Sequence, residues 1–211
     1  MLIDLHCHTT VSMDGIVSPQ MAARGAREAG LDALCFTEHD VQWTAKDARY
    51  VGQREGVLAL AGVEVTTEVG HVLAFGLDSF DVSMRSFEVL VDAAERTGAA
   101  LVLAHPFRRF YGGRVPVVPH GEDVERAMGR RGWDAVHAIE TWNAETRHIE
   151  NLLAAAVAER LMLPTTGGGD AHRDSSQVGR RPTELTETVT SEEELAAAIR
   201  AGMVRPAAMA P

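Results

Sequence analysis

The 211-residue sequence predicts an α/β fold. Two patterns carry that expectation. Short apolar runs alternate with amphipathic stretches of helical period. Histidines and carboxylates also gather at or just past the ends of the apolar runs, the edge where α/β proteins build their sites. Such alternation argues for a largely parallel sheet and does not by itself separate a barrel from an open sheet.

Taken in order, Leu2–Cys7 reads as a first strand. Ser18-Pro19 opens a helix, with serine as N-cap and proline at the first helical position, and Gly30 ends it. Leu31–Thr37 is a second strand, followed by a helix around Thr44–Arg54. Val57–Val65 and His71–Leu77 read as strands joined by a short turn near Gly70. Met84–Thr97 is a helix closed by Gly98, and Ala99–Ala104 a short, fully apolar strand. A loop rich in Gly, Pro and Arg runs from Pro106 to about Gly121. Asp123–Arg130 is expected to be helical, Ala135–Glu140 a strand, and Glu145–Arg160 an Ala-rich helix. Leu161–Thr166 is a strand ended by Gly167-Gly168-Gly169. Ser191-Glu192-Glu193-Glu194 is a capping box for a last helix that stops at Gly202. No internal repeat or low-complexity segment is present.

The length suits one domain, residues 1–211, and a hydrophobic share of 45% suits a real core. A net charge of −10 argues against a general grip on nucleic-acid backbone. It leaves room for a nucleotide substrate, because bound metal ions bring positive charge to an acidic site. Cys7 and Cys35 are the only cysteines, so no disulfide framework follows. Cys7 alternates with His6 and His8 and is read as packing on the opposite face. No stretch approaches a transmembrane span, and the N-terminus lacks a basic region followed by an apolar one. No membrane partner or signal peptide is expected, and the cytoplasm is the default location.

On a strand, His6 and His8 aim two imidazoles at one place. His39 follows the second strand in Thr37-Glu38-His39-Asp40, and Glu64 lies at the end of the third. His71 begins the next strand, His105 follows Ala104, and Asp170 and His172 follow the glycine run. Neutral imidazole and carboxylate together suit Zn²⁺, Mn²⁺ or Fe²⁺. Two or three such ions lower the pKa of a shared water and clamp a phosphoryl group. No serine or cysteine nucleophile has comparable support, and no Walker-type phosphate loop is present. His120, His137 and His148 do not share the pattern and are read as structural or surface residues.

Asp4-Leu5-His6-Cys7-His8-Thr9, Thr37-Glu38-His39-Asp40, Ala104-His105-Pro106 and Gly169-Asp170-Ala171-His172, taken in order, resemble the polymerase and histidinol phosphatase (PHP) superfamily. The resemblance covers roughly residues 2–172. It implies a distorted (βα)7 barrel with a trinuclear metal centre at the C-terminal face of the strands. It assigns one ion to His6, His8, Glu64 and Asp170, a second to Glu64, His71 and His105, and a third to Asp14, His39 and His172. Asp14 fits the Ser-Asp-Gly pattern with one inserted residue, as Ser12-Met13-Asp14-Gly15. The implied cofactors are two to three divalent ions (Zn, Mn or Fe), and the implied reaction is phosphoester hydrolysis by a metal-bridging hydroxide. In that reaction Glu64 bridges and a group near the leaving oxygen supplies a proton; His39 is the candidate donor where it is not fully committed to a metal, with Asp40 to orient it.

Arg108 and Arg109 at the expected rim and Arg173 beside His172 are candidates for phosphate contact. Asn143 is a candidate for the substrate, while Trp142 is expected to cover the barrel's end. Glu140 faces the same edge. Relatives often insert a substrate-covering domain after Ala-His-Pro, whereas here only Phe107 to Trp133 is available. The expected activity is hydrolysis of a small phosphorylated metabolite or nucleotide, with phosphate as product. A DNA or RNA exonuclease or polymerase-associated proofreading module is the alternative, disfavoured by the charge. A non-enzymatic remnant would usually have lost ligands that this chain keeps.

Overall fold

The computed structural model describes residues 1–113 and 115–208. Its strands are β1 (Leu2–Asp4), β2 (Ala33–Phe36), β3 (Leu58–Thr67), β4 (Gly70–Phe75), β5 (Ala100–Leu103), β6 (Ala138–Asn143), β7 (Thr165–Gly168), β8 (Thr183–Leu185) and β9 (Val204–Pro206). They form one nine-stranded sheet in the order β7-β6-β5-β4-β3-β2-β1-β8-β9. The sheet nearly closes into a barrel, because its two ends meet. The Thr183 hydroxyl accepts from the Gly167 amide at 2.9 Å and donates to the Gly167 carbonyl at 2.8 Å. A Cβ on Gly167 would fall 2.5 Å from the Arg181 carbonyl oxygen, so glycine admits this approach.

The sheet is mixed, not largely parallel. β1-β2, β2-β3, β5-β6 and β6-β7 are parallel, but β4 runs antiparallel to both β3 and β5. The reason is the tight turn at Gly70 (φ 126°), which folds β4 straight back on β3 without a crossover helix. The two strands the sequence did not reveal, β8 and β9, are three residues each and return antiparallel on β1 and on each other.

The first strand stops at Asp4 and not at Cys7. The Asp4 carboxylate accepts from the His6 amide at 3.1 Å, and Cys7 keeps only a single parallel bridge to Ala171. The strand expected at Ala135–Glu140 begins three positions later, at Ala138. His137 occupies the approach, its amide donating to the Leu101 carbonyl and its Nδ1 accepting from the Leu101 amide.

The helices are α1 (Pro19–Glu28), α2 (Ala45–Glu55), α3 (Phe87–Thr97), α4 (Gly121–Met128), α5 (His148–Leu161) and α6 (Glu192–Arg200). Ser18, Thr44 and Ser191 cap α1, α2 and α6 by accepting from Met21, Asp47 and Glu194 amides. The α6 capping box is only half made, because the Glu194 carboxylate accepts from the Thr190 amide. The helix expected from Met84 is broken: a 3-10 turn, Val82–Arg85, ends at extended Ser86, and α3 starts afresh with its first amide bound by Glu68.

Three apolar clusters hold the sheet. One packs α3 and α5 on β3–β6, and another places Leu195 and Ile199 of α6 against Ile3, Cys35 and Val102. The third joins α1 and α2 to Leu34, Phe36 and Cys7. Cys7 is thus fully buried in packing, as expected. Among the described residues, no helix is long and apolar enough to cross a membrane.

Candidate metal centre

The chain brings the predicted ligands to one end of the sheet by strand ends and tight turns. Glu64 lies in β3, and its neighbour across a single parallel bridge is His39, just past β2. His71 lies in β4 and His105 just past β5. Asp170 and His172 follow β7. Asp40, His105 and Asp170 have positive φ (52°, 27° and 51°), a conformation non-glycine residues adopt rarely and mostly where surroundings impose it.

Glu64, fully buried, is the hub. Its Oε1 lies 3.0 Å from His71 Nδ1, 3.1 Å from His105 Nε2 and 3.3 Å from His6 Nε2. Its Oε2 lies 2.9 Å from His39 Nδ1 and 3.2 Å from His8 Nε2. Asp170 Oδ1 lies 3.4 Å from His6 Nε2, His8 Nε2 and His172 Nδ1 alike. Asp14, more than half exposed, stands 3.5 Å from His39 Nε2 and 3.4 Å from His172 Nε2. Ligand atoms of His6, His8 and Asp170, of His6, Glu64 and His105, of His39, Glu64 and His71, and of His8, His39 and His172 each converge within 4.8 Å.

Charge explains the titration of this cluster. Burial alone would raise the Glu64 and Asp170 carboxyls, but the surrounding imidazoles, with Arg108 for Asp170, hold both well below the usual carboxylate range. Burial opposes the charged form of His6 and His8 too. Asp170, Glu140 and Glu64 nevertheless push His6 well up, and Asp170 and Glu64 push His8 up to about 9. The buried carboxylates thus favour positive charge among the imidazoles.

Whether the residues fit a metal is answered by two atoms. Glu64 Oε2 and Asp170 Oδ1 are buried carboxylate oxygens without a hydrogen-bond partner. A buried carboxylate oxygen left alone is costly. Both are ringed by imidazole nitrogens at 2.9–3.4 Å, which is the donor set of Zn²⁺, Mn²⁺ or Fe²⁺.

Other predicted residues fall differently. Asp40 does not orient His39: its Oδ1 accepts from the Thr66 amide at 2.9 Å and its Oδ2 accepts from Arg85. The left-handed backbone turns the side chain toward that neighbouring strand and away from the ring. Both His39 nitrogens face carboxylates, Glu64 and Asp14, so neither is free to hand a proton to a leaving group. Arg108 and Asn143 are tied inward: Arg108 pairs with Asp170 and donates to Asn143 Oδ1 at 2.9 Å, and buried Asn143 donates to Asp170 Oδ2 at 3.1 Å. Both thus contact Asp170. Trp142 lies off the site, 4.7 Å from the Arg181 guanidinium and beside His148. Arg109 and Arg173 are exposed and line a cavity of about 480 Å³ with Asp14, Arg108, Asp170 and His172.

The segment after Pro106 packs through Phe107, Tyr111, Val124, Ala127 and Trp133 into the apolar cluster that holds α3 and α5. It consists of a loop, α4 and the buried Trp133, with Tyr111 donating to Asp123 at 3.0 Å and Arg130 donating to the Pro106 carbonyl. The three set-aside histidines stay outside the cluster. His120 precedes α4, His137 pairs with Leu101, and His148 begins α5.

Some supporting residues escaped the sequence reading. Glu38, fully buried, accepts from the amides and hydroxyls of both Thr9 and Ser12 and from the Trp43 indole, pinning the loop that carries His8. Its place inside Thr37-Glu38-His39-Asp40 was the available signal. Asp4 accepts from the Gly169 and Gly179 amides at 2.9 and 2.7 Å. Gln177 Oε1 accepts from the amides of His172, Arg173 and Asp174, fixing the His172 turn with no signal in sequence.

The chain matches a known family along most of its length. The PHP domain family matches residues 4–158, and a PHP-associated family matches residues 148–204. The phosphoribosyl 1,2-cyclic phosphate 1,2-diphosphodiesterase of Eggerthella lenta is 30% identical over 134 residues, 61% of this chain and 47% of that protein. The 5'-3' exoribonuclease Rnm of Salmonella typhimurium is 32% identical over 105 residues, 46% of this chain and 34% of that protein. The matched part thus spans less than half the length of either relative. The crystal structure of a putative metal-dependent phosphoesterase from Bifidobacterium adolescentis superposes with TM-score 0.62 at 18% identity. It covers 93% of this chain and 95% of that one, and it shares the fold.

Proposed function

Because this chain belongs to the PHP domain family, we propose that it is a metal-dependent phosphoric ester hydrolase acting on a small phosphorylated metabolite or nucleotide. The observation that carries the reading is the pair of orphaned oxygens, Glu64 Oε2 and Asp170 Oδ1, at the centre of a buried histidine ring. Such oxygens inside such a ring call for divalent cations, and the phosphoesterase relatives supply the reaction class.

In this reading His6, His8, Glu64 and Asp170 hold one ion, Glu64, His71 and His105 a second, and Asp14, His39 and His172 a third. Bound divalent ions supply an activated water at neutral pH and neutralise charge on a phosphoryl group. The chain's residues do the rest. Glu64 gathers five imidazoles at one point, those of His6, His8, His39, His71 and His105, and Asp170 is held by Arg108 and Asn143. Arg109 and Arg173 at the cavity mouth bind phosphate oxygens of the substrate.

The test is a panel of substrates offered to metal-analysed protein: an aryl phosphate, nucleotides, sugar phosphates and single-stranded RNA and DNA. Release of inorganic phosphate from small esters is expected. Stepwise release of nucleotides from RNA or DNA with no turnover of small esters would move the reading to the exonuclease alternative.

A further inference from the structure

We infer that Glu140 is the positioning residue that aims His6, by accepting the proton on Nδ1 and so leaving Nε2 as the metal-facing nitrogen. The inference rests on the metal reading of the site above.

Glu140 is fully buried at the end of the sheet and touches the cluster through both oxygens. Oε1 lies 2.9 Å from His6 Nδ1. Oε2 accepts from the His105 amide at 2.8 Å and from Asn143 Nδ2 at 3.0 Å. An ionised carboxylate only accepts, so His6 donates from Nδ1, and Nε2 is the nitrogen left to meet a cation. That Nε2 is the atom facing Glu64 and Asp170 at 3.3 and 3.4 Å. The same carboxylate holds the amide of His105, whose backbone has φ 27°, so one side chain fixes two candidate ligands.

Two features of the chain seat this carboxylate. The pairing of β6 with β7 shifts register between Glu140 and Trp142, which lets Glu140 and Asn143, three apart, reach the same cluster while Trp142 lies off the site. Opposite them, a Cβ on Gly168 would lie 2.2 Å from Glu140 Oε1 and 2.5 Å from His6 Cβ, so only glycine leaves room.

Glu140→Gln tests the role at nearly constant volume. Two donors already occupy the Oε2 position, so the amide oxygen is kept there and the new NH₂ faces His6 Nδ1. That reverses the hydrogen bond, moves the His6 proton to Nε2 and removes the lone pair the metal needs. The protein is loaded with Zn²⁺, affinity is read by competition with a chelating dye, and the His6 proton is placed by ¹H–¹⁵N correlation. Wild type is expected to show a protonated His6 Nδ1; the variant is expected to lose that signal and bind zinc roughly 10–100-fold more weakly. A merely structural role would lower thermal stability and leave the proton on Nδ1. Equal zinc affinity in variant and wild type overturns the inference, as does a wild-type His6 that carries its proton on Nε2. The wild-type spectrum decides alone if the variant does not fold. Wild-type protein that takes up no zinc fails the metal reading itself, and the role of Glu140 with it, whereas normal uptake with an indifferent variant fails only the latter.

Discussion

The Nε2 atoms of His6 and His8 lie 3.0 Å apart, and each is 3.4 Å from the same Asp170 oxygen. Two lone pairs cannot face one another and a carboxylate at such distances without a proton or cation among them. Removing metal with a chelator should therefore lower the Tm, and adding Zn²⁺ or Mn²⁺ back should restore it. A metal at a hundredfold excess over its Kd adds about 2.7 kcal/mol, and each kcal/mol moves the Tm of a chain this long by roughly 2–4 °C. Calorimetry showing no difference between stripped and loaded protein would sink the metal reading.

Glu64 serves more candidate ligands than any other residue. Glu64→Gln keeps the shape and removes the charge that the imidazoles surround. Hydrolysis of an aryl phosphate should fall by more than the roughly 10–100-fold typical of outer partners, with bound metal reduced and far-UV circular dichroism unchanged. Wild-type turnover in this variant would mean that Glu64 is no bridge.

Arg109 and Arg173 have no side-chain partner among the described contacts at the cavity mouth, unlike Arg108. Each is expected to contribute about 1 kcal/mol to substrate binding, so Arg109→Ala and Arg173→Ala should each raise KM roughly fivefold. Steady-state kinetics should show kcat nearly constant. A fall in kcat at unchanged KM would place these arginines with the chemistry instead.

Gly169 is packed so closely that a Cβ would lie 2.4 Å from Asp4 Oδ2 and 2.7 Å from the Gln177 carbonyl oxygen. Gly169→Ala should cost about 1–3 kcal/mol by overpacking. Gly112, with nothing near its would-be Cβ among the described residues, is the control, and Gly112→Ala should stay within about 0.5 kcal/mol. Denaturant unfolding of the two variants side by side measures the contrast.

His137 introduces a pH dependence away from the metal site. Burial, with the nearby Arg200 charge, lowers its pKa, and its Nδ1 must stay unprotonated to accept from the Leu101 amide. A depressed pKa contributes stability above the unfolded value of about 6.5 that is lost as pH falls through the folded one. His137→Asn, which keeps an acceptor and cannot charge, should flatten the decline in Tm between about pH 7 and pH 5. A variant whose acid limb parallels wild type would show that His137 plays no part in it.

The candidate ligands were legible because each sits inside a short local motif or at the end of an apolar run. Residue chemistry and the period of a strand are local properties, so His6, His8, His39, His105, Asp170 and His172 could be read in order along the chain. The caps Ser18 and Ser191 and the stop at Gly98 were readable for the same reason. Three-residue strands such as β8 and β9 carry too short a pattern to register, and the broken start of α3 depends on Glu68, nineteen residues away in sequence from Phe87.

What the sequence determined by itself is the family, the α/β class and the residues able to hold metal. What only the tertiary structure decided is which partner each of them keeps. Glu140 meets His6 across 134 residues, Arg108 meets Asp170 across 62, and Asp40 turns to Arg85 instead of His39. Hydrogen bonds of that span depend on how the sheet curls shut, on the Glu140–Trp142 register shift and on glycines that leave room for a neighbour's oxygen. Those are properties of packed surfaces, and no local pattern of residues encodes them.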